Sequence, residues 1–311
     1  MITYSFIIPH HNTPDLLQRL IDTIPQRDDI EIIVVDDNSD EDKKANISRP
    51  DVKTIFIDKE QTKGAGKARN IGMEAASGKW LLFADADDMY KTGFLGVLDK
   101  YKNDDIEVLY FNIESFDSDT LAPLLNSKND RAIKSRLLFD NYDGSAHRTK
   151  ELVYLNWEPW NKMVSSFFIK RYRIYFEEVA RGNDVFFSIQ VGYFAKKIKI
   201  ENVILYMLSY CKSSITYSAY TLPKTIATIK NIYHRNYFFD FVNYKEWTKI
   251  RKHESIIKFI LSILYKHHNI KLFIRVIVYF AINFISLWKN KSMYVDVIQN
   301  NQKNILVEYS R

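Results

Sequence analysis

A chain of 311 residues that is 46% hydrophobic and 14% aromatic can build a sizeable core, is too apolar for disorder, and has room for one large domain or a catalytic domain with an appendage. Its one cysteine, Cys211, excludes an internal disulfide and a cysteine-built metal site, which suits a reducing compartment. The 44 Lys and Arg against 38 Asp and Glu leave a modest formal charge of +6, and with no helix-turn-helix, zinc-finger or RNP signature beside it, no nucleic-acid partner is expected.

The opening MITYSFIIPHH lacks the basic start and long apolar region of a signal peptide, so a cytoplasmic protein is expected; residues 4–9 read as a buried strand. Residues 13–24 follow as a helix with Leu16, Leu17, Leu20, Ile21 and Ile24 on one stripe, Thr13 as N-cap and Pro14 in the first helical position. Strands are predicted over residues 31–35, 52–57 and 79–83, with a helix over 66–76 before the last of them. A helix over 91–101 and a fifth strand over 107–112 continue the alternation. Such a pattern predicts an α/β fold with a mostly parallel sheet covered on both faces, whose ligands gather beyond the carboxyl ends of the strands. Three of those ends carry polar clusters: His10-His11-Asn12, Asp36-Asp37-Asn38 and Asp85 to Asp88.

Residues 114–156, with LLNSKNDRAIKSR and NYDGSAHR, are less regular and read as an insertion over the sheet's active edge. Order returns with a short helix over 164–170, a helix over 184–194 with Val185, Phe186, Ile189 and Phe194 inward, and a strand over 199–208. Beyond Tyr220 the chain turns helical and basic. Ile256, Ile257, Ile260, Leu261 and Leu264 share one helix face, KHHN breaks it, and residues 272–288 form an apolar run interrupted by Arg275 and Asn283. That run falls short of the ~20 apolar residues of a membrane span. It suits an in-plane membrane helix or a helix packed in a small C-terminal domain.

Three constellations carry chemistry. Asp85, Asp87 and Asp88 follow the core strand KWLLF, and carboxylates crowded at a strand end become favourable together around a divalent cation such as Mg²⁺ or Mn²⁺. The same run is compatible with solvated acids capping the next helix. IIVVDDNSDED delivers Asp36-Asp37 to the same edge, where a carboxylate can accept from a base N–H or a ribose hydroxyl, or simply cap a helix. KGAGKARNIG combines Gly64 and Gly66 with Lys63, Lys67 and Arg69 near a helix start, yet lacks the spacing of a P-loop or a dinucleotide fingerprint.

Taken in order, FIIPHHN, VVDDNSD, GAGKARNIGMEAASGKWLLFADADD, EPWNKM and RGNDVFF resemble the inverting GT-A enzymes known as glycosyltransferase family 2, over about residues 2–208. The resemblance implies that the first strand end (Pro9, His11, Asn12) and Asp37 border the nucleotide base, that Asp85 lies near the donor ribose, and that Lys63 and Arg69 support the donor site. It implies that Asp87 holds Mn²⁺ or Mg²⁺ on the donor diphosphate, and that Asp184 is the base that deprotonates the acceptor. Trp157, Trp160, Asn161 and Lys162 would border acceptor and donor sugar. Two positions depart from the family pattern: Asn183 stands where a Glu is usual, and His10-His11 replaces a Thr-Tyr pair. Each tryptophan fits sugar stacking and core filling equally.

The expectation is thus a GT-A-like catalytic domain over residues 1–220 and a basic, mainly helical region over 221–311. The expected reaction is inverting transfer from a nucleoside-diphosphate sugar, a UDP-sugar foremost, to a saccharide or lipid-linked saccharide acceptor in bacterial surface-polysaccharide synthesis. The expected location is the cytoplasm, at an anionic membrane surface on the inner face of the plasma membrane. The competing readings are a nucleotide-sugar-binding protein without turnover and a metal-dependent nucleotidyltransferase.

Overall fold

The structure, a computed structural model, describes residues 1–60, 62, 64–179, 181–211, 221–242, 255–265, 269–289 and 293–309, with the side chains of all of these except 283–289 and 303–309. Its strands are β1 (Tyr4–His10), β2 (Ile30–Asp36), β3 (Val52–Phe56), β4 (Trp80–Phe83), β5 (Met89–Tyr90), β6 (Val108–Asp117), β7 (Lys162–Ser165) and β8 (Ile198–Tyr210). They form one sheet in the order β3-β2-β1-β4-β7-β6-β8-β5.

The half from β3 to β4 is parallel, with Tyr4 opposite Ile30 and Trp80, and His10 opposite Asp36. Strands buried on both faces must read as continuous apolar runs, as FIIP, IIVV and WLLF do. The other half departs from the mostly parallel expectation. β7 runs antiparallel to β4 and β6, β5 antiparallel to β8, and only β6 and β8 are parallel to each other. Residues 162–165 are a strand rather than the start of a helix over 164–170, because KMVS holds only two apolar residues, Met163 and Val164, too few for a period that separates the two states. The helix begins only at Ser166, where the Ser165 hydroxyl accepts from the Phe168 N–H.

Up to residue 194 the helices are α1 (Pro14–Asp22), α2 (Ala65–Ala75), α3 (Phe94–Leu98), α4 (Ile133–Asp140), α5 (Ala146–Leu155), α6 (Ser166–Tyr172) and α7 (Asn183–Phe194). Pro14 opens α1 as expected, but the Thr13 hydroxyl makes no cap; its N–H donates instead to His10 Nε2 at 3.2 Å. α3 is far shorter than residues 91–101, since Gly93 adopts φ 81° just before it and Met89–Tyr90 are drawn into the sheet. Residues 114–156 hold more regular structure than expected: β6 runs on to Asp117, and α4 and α5 follow, α5 capped by Ser145.

On one sheet face, Phe6 and Ile8 pack with Leu17, Leu20 and Ile21 of α1 and with Phe94. Tyr90 stacks on Phe94 at 4.3 Å. On the other, Phe83 meets Phe176 and Phe187 edge-on, and those two rings stack at 3.9 Å. α7 is buried nearly all round, beyond the four inward residues expected.

The chain divides into two compact units, residues 1–178 with 183–217 and residues 179–182 with 218–311. The second contains α8 (Leu222–Phe241), α9 (Ile256–Tyr265), α10 (Ile270–Lys289) and α11 (Met293–Tyr309). Its core joins Ile229, Ile263, Leu272 and Val276. Ile257 and Leu261, expected on the same face as Ile256 and Ile260, are exposed instead. The Asn269 side chain caps α10, its Oδ1 accepting from Leu272 N–H at 2.9 Å, which accounts for part of the KHHN break; His267 and His268 lie outside the described residues. Among the described residues, no helix is long and apolar enough to cross a membrane.

Candidate active site

Parallel pairing of β1, β2 and β4 brings their carboxyl ends to one edge, as the sequence requires. The two aspartates after β2 then part company. Asp36 faces inward and is buried; its carboxylate bonds His10 Nδ1 at 2.9 Å and accepts from Ser39 N–H at 2.8 Å and Ala45 N–H at 2.9 Å. Burial pushes this carboxyl up, but the Ala45 and Ser39 amides and His10 outweigh it and hold it below the usual range. Since Thr13 N–H donates to His10 Nε2, the buried ring is neutral with its proton on Nδ1. His10 and Asp36 therefore brace the loop, and the Asp37 carboxylate takes no part in that network.

Asp37 is buried, and its Oδ1 has no hydrogen-bond partner among the described residues. Burial raises its carboxyl above the ordinary value, opposed by Gly64 N–H, His11 and Thr62. An orphaned buried acceptor is costly to leave unpaired, so this oxygen is poised for a donor. The His11 ring is exposed and hydrogen-bonds the Asp37 carbonyl through Nδ1 at 3.0 Å. Asn12, in the left-handed region at φ 59°, uses its side chain to bridge to Asp40. Pro9 is half-buried within β1, and Lys63 lies outside the described residues.

The GAGKARN segment packs closely on residues 176–178 and on Asn183. A Cβ on Gly66 would stand 2.0 Å from the Glu177 carbonyl oxygen and 2.9 Å from Asn183 Cβ, so only glycine permits this approach. The Asn70 side chain clasps both backbone groups of Phe176, and Lys67 pairs with Glu178 at 3.2 Å. Arg69, 5% exposed, is the hinge of the site. Its guanidinium donates to Asp85 Oδ1 at 2.5 Å and to Asn183 Oδ1 at 2.7 Å while lying over the Phe176 ring. Arg69, on α2, thereby locks the end of β4 to the start of α7, its bond to Asn183 spanning 114 residues of sequence.

Asp184 follows Asn183 on the first turn of α7. Burial pushes its carboxyl up, with Arg69 and Lys162 opposing and Asp85 adding to the rise. Of the three clustered aspartates after β4, Asp88 is fully buried and taken up by β8: it accepts from the Tyr206 hydroxyl and the Ser209 N–H, both at 2.7 Å. Asp85 and Asp87 remain outside that pairing with the backbone of β8. Asp87 Oδ2 accepts from the Ser209 hydroxyl at 3.0 Å, and burial and then the charge of Asp85 push its carboxyl up, opposed by Arg131. Two crowded carboxyls whose ionised forms disfavour each other fit a divalent cation, and Mg²⁺ or Mn²⁺ needs only one or two protein carboxylates when phosphates and waters complete its shell. Among the described residues no group of three or more His, Cys, Asp or Glu could hold a metal ion.

The EPWNK turn is mostly scaffold. Trp160 is buried and stacked on Tyr206, whose hydroxyl ties Asp85 N–H to Asp88; its ring backs the strand end and is not presented to a sugar. Trp157 is half-buried, its indole N–H donating to the Tyr154 carbonyl at 2.7 Å. The Asn161 amide N–H₂ donates to Ser135 and Asn156. Lys162 is wholly buried and donates to the carbonyls of Asn156 and Glu158 and to Asn161 Oδ1. Burial pushes its ammonium down to about 7 against the charges of Glu158 and Asp184. The unfolded chain therefore holds the extra proton from about pH 7 to the ordinary lysine range, and stability rises with pH across that window. The urea midpoint of the native chain should climb between about pH 7 and about pH 9 relative to Lys162→Met, on the order of 1 kcal/mol per pH unit; a flat difference would show a lysine that stays charged.

Sequence reading missed Arg131, which donates to the Ser209 carbonyl at 2.7 Å and offsets the charges of Asp87 and Asp88. It also missed Arg19, which holds the Asp87 carbonyl at 2.8 Å. Both belong to helix or loop segments with no local motif; Ser209, polar within the apolar run of β8, was the one available hint.

The family model described as Glycosyl transferase family 2 matches residues 5–170. Among curated proteins, the chain is 35% identical over 106 residues to the GalNAc(5)-diNAcBac-PP-undecaprenol beta-1,3-glucosyltransferase of Campylobacter jejuni, covering 32% of this chain and 34% of that protein. It is 24% identical over 227 residues to the putative glycosyltransferase EpsH of Bacillus subtilis, covering 68% and 62%. The chain thus spans about a third of the first of these relatives and under two thirds of the second. Among solved structures, S. aureus TarS 1-349 in complex with UDP superposes with a TM-score of 0.54 at 16% identity, covering 99% of this chain and 91% of that one. At such identity the likeness speaks for the fold alone.

Proposed function

From the premise that this chain belongs to glycosyl transferase family 2, we propose that it moves a sugar from a nucleoside-diphosphate donor, a UDP-sugar foremost, to a hydroxyl of a saccharide or lipid-linked saccharide, inverting the anomeric centre. The observation that carries this reading is the Arg69 bridge, which ties Asp85 at the end of β4 to Asn183, the residue next to Asp184.

Asp37 Oδ1, buried and unpaired, accepts the ring N–H of a pyrimidine base. Arg69 fixes Asp85 at the ribose side. Asp184 takes the proton of the acceptor hydroxyl as its oxygen attacks the sugar carbon. Asp87, with Asp85 beside it, would hold Mn²⁺ or Mg²⁺, which when bound neutralises charge on the departing diphosphate. Direct displacement needs no covalent sugar-enzyme intermediate and inverts configuration. A lipid-linked acceptor places the enzyme at the inner face of the plasma membrane, with residues 221–311 as the membrane-facing part.

The test is a panel of nucleotide sugars and acceptors with Mn²⁺ or Mg²⁺. Release of nucleoside diphosphate supports transfer; pyrophosphate release, or binding without turnover across the panel, overturns it. Within the same reading, Asp37→Asn presents a donor where an acceptor is needed, and UDP affinity measured by calorimetry should fall about tenfold or more.

A further inference from the structure

Residues 221–311 carry 15 Lys and Arg against 5 Asp and Glu, whereas the rest of the chain carries 29 against 33. Within this cationic unit, α9 and α10 each have two apolar faces. On α9, Ile263 is buried with Ile256 and Ile260 beside it, while Ile257, Leu261 and Tyr265 recur every fourth residue on the outside, Ile257 and Tyr265 each 70% exposed. On α10, Leu272 and Val276 point inward, and Ile270, Ile274, Ile277, Val278 and Ile282 form an outward stripe, Ile282 reaching 76% exposure.

A cation borders each stripe in the same way. Lys258 follows Ile257, Lys271 follows Ile270 and Arg275 follows Ile274, all exposed, so each lies 100° round the helix from the stripe residue it follows. The inward faces of both helices share one core with Ile229 of α8, so each outward stripe lies on the side of its helix turned away from that core. An exposed apolar patch of this kind marks an interaction surface. A second copy of the chain would bring the same positive excess against itself, whereas an anionic bilayer complements both the stripe and its cationic border.

We propose that the outward faces of α9 and α10 form one surface that docks in the plane of an anionic phospholipid bilayer. Ile257, Leu261, Ile274 and Val278 enter the headgroup–acyl boundary, and Lys258, Lys271 and Arg275 meet lipid phosphates. This deepens the lipid-linked acceptor reading and takes its biological sense from it; the surface itself acts whether or not sugar is transferred.

The test is flotation of the full chain with vesicles of phosphatidylcholine alone or mixed with phosphatidylglycerol, alongside two variants. The native chain should float with the anionic vesicles and release at high salt. Lys258→Gln/Lys271→Gln/Arg275→Gln should lower partitioning about a hundredfold, and Ile257→Asn/Ile274→Asn at least about tenfold. All these positions are exposed, so circular dichroism should be unchanged. A native chain that stays unbound, or variants that float as well as it does, overturns the proposal. So does a native dimer in light scattering that Ile257→Asn/Ile274→Asn dissolves, which would assign the face to a second copy. UDP binding by the same preparations reports separately on the catalytic reading, so either can fail alone.

Discussion

Asp184→Asn is expected to lower kcat by about 10²–10⁴-fold, the range a positioned general base contributes, while UDP affinity stays at the native level. The substitution keeps the shape of the side chain and removes only its ability to take a proton. The accompanying pH dependence has a definite sign. Burial pushes the Asp184 carboxyl up, Asp85 adds to this, and Arg69 and Lys162 only partly counter it. Because the base works ionised, the acidic limb of kcat/KM should lie above the ordinary carboxylate range and vanish in the variant. Stability should move the other way. A carboxyl whose folded value is raised contributes least once it ionises, so at neutral pH the native chain carries a cost that asparagine lacks, and the variant should melt higher. An Asp184→Asn enzyme with native kcat would place the base elsewhere, and Glu158, whose carboxyl feels both Asp184 and Lys162, would be the next residue to test.

Arg69→Ala is expected to have the largest effect on stability, a loss of about 3 kcal/mol, at the low end for removing one partner of a buried ion pair because Asp85 keeps some solvent contact. The variant strands Asp85 and Asn183 together and frees α7 from the end of β4. It also leaves Asp184 without the cation that most lowers its carboxyl, so the acidic limb should move further up. Arg69→Lys separates charge from geometry: an ammonium restores the field but lacks the rigid fork that spans two acceptors. It should recover part of the urea stability and the pH profile, yet keep a raised donor KM. If Arg69→Lys matched the native chain in all three, the fork would be irrelevant and the bridge between Asp85 and Asn183 would not organise the site.

Much of the arrangement was legible from residues alone. Runs such as IIVV and WLLF, short, apolar and leading into charged turn residues, read as doubly covered strands, and parallel pairing brings their charged ends to one edge. The amphipathic spacing of residues 13–24 likewise admitted one reading. The expectation went astray at KMVS, where two apolar residues set no period, and at residues 91–101, where glycine and a two-residue strand cut the helix short.

What the sequence determined by itself was therefore the parallel character of the first strands, the edge where chemistry gathers, and the set of carboxylates there; the strand order came from the structure. Which members of that set are available was decided by tertiary contacts. Asp36 is taken up by His10 and two amides, leaving Asp37; Asp88 is taken up by Tyr206 and Ser209, more than a hundred residues away, leaving Asp85 and Asp87. Trp160 and Lys162, fit by type to touch a sugar, are consumed in packing and backbone contacts. The reason is physical: apolar periodicity acts within a few neighbouring residues, whereas the pairing of a buried polar atom depends on whichever distant segment the fold brings within 3 Å of it.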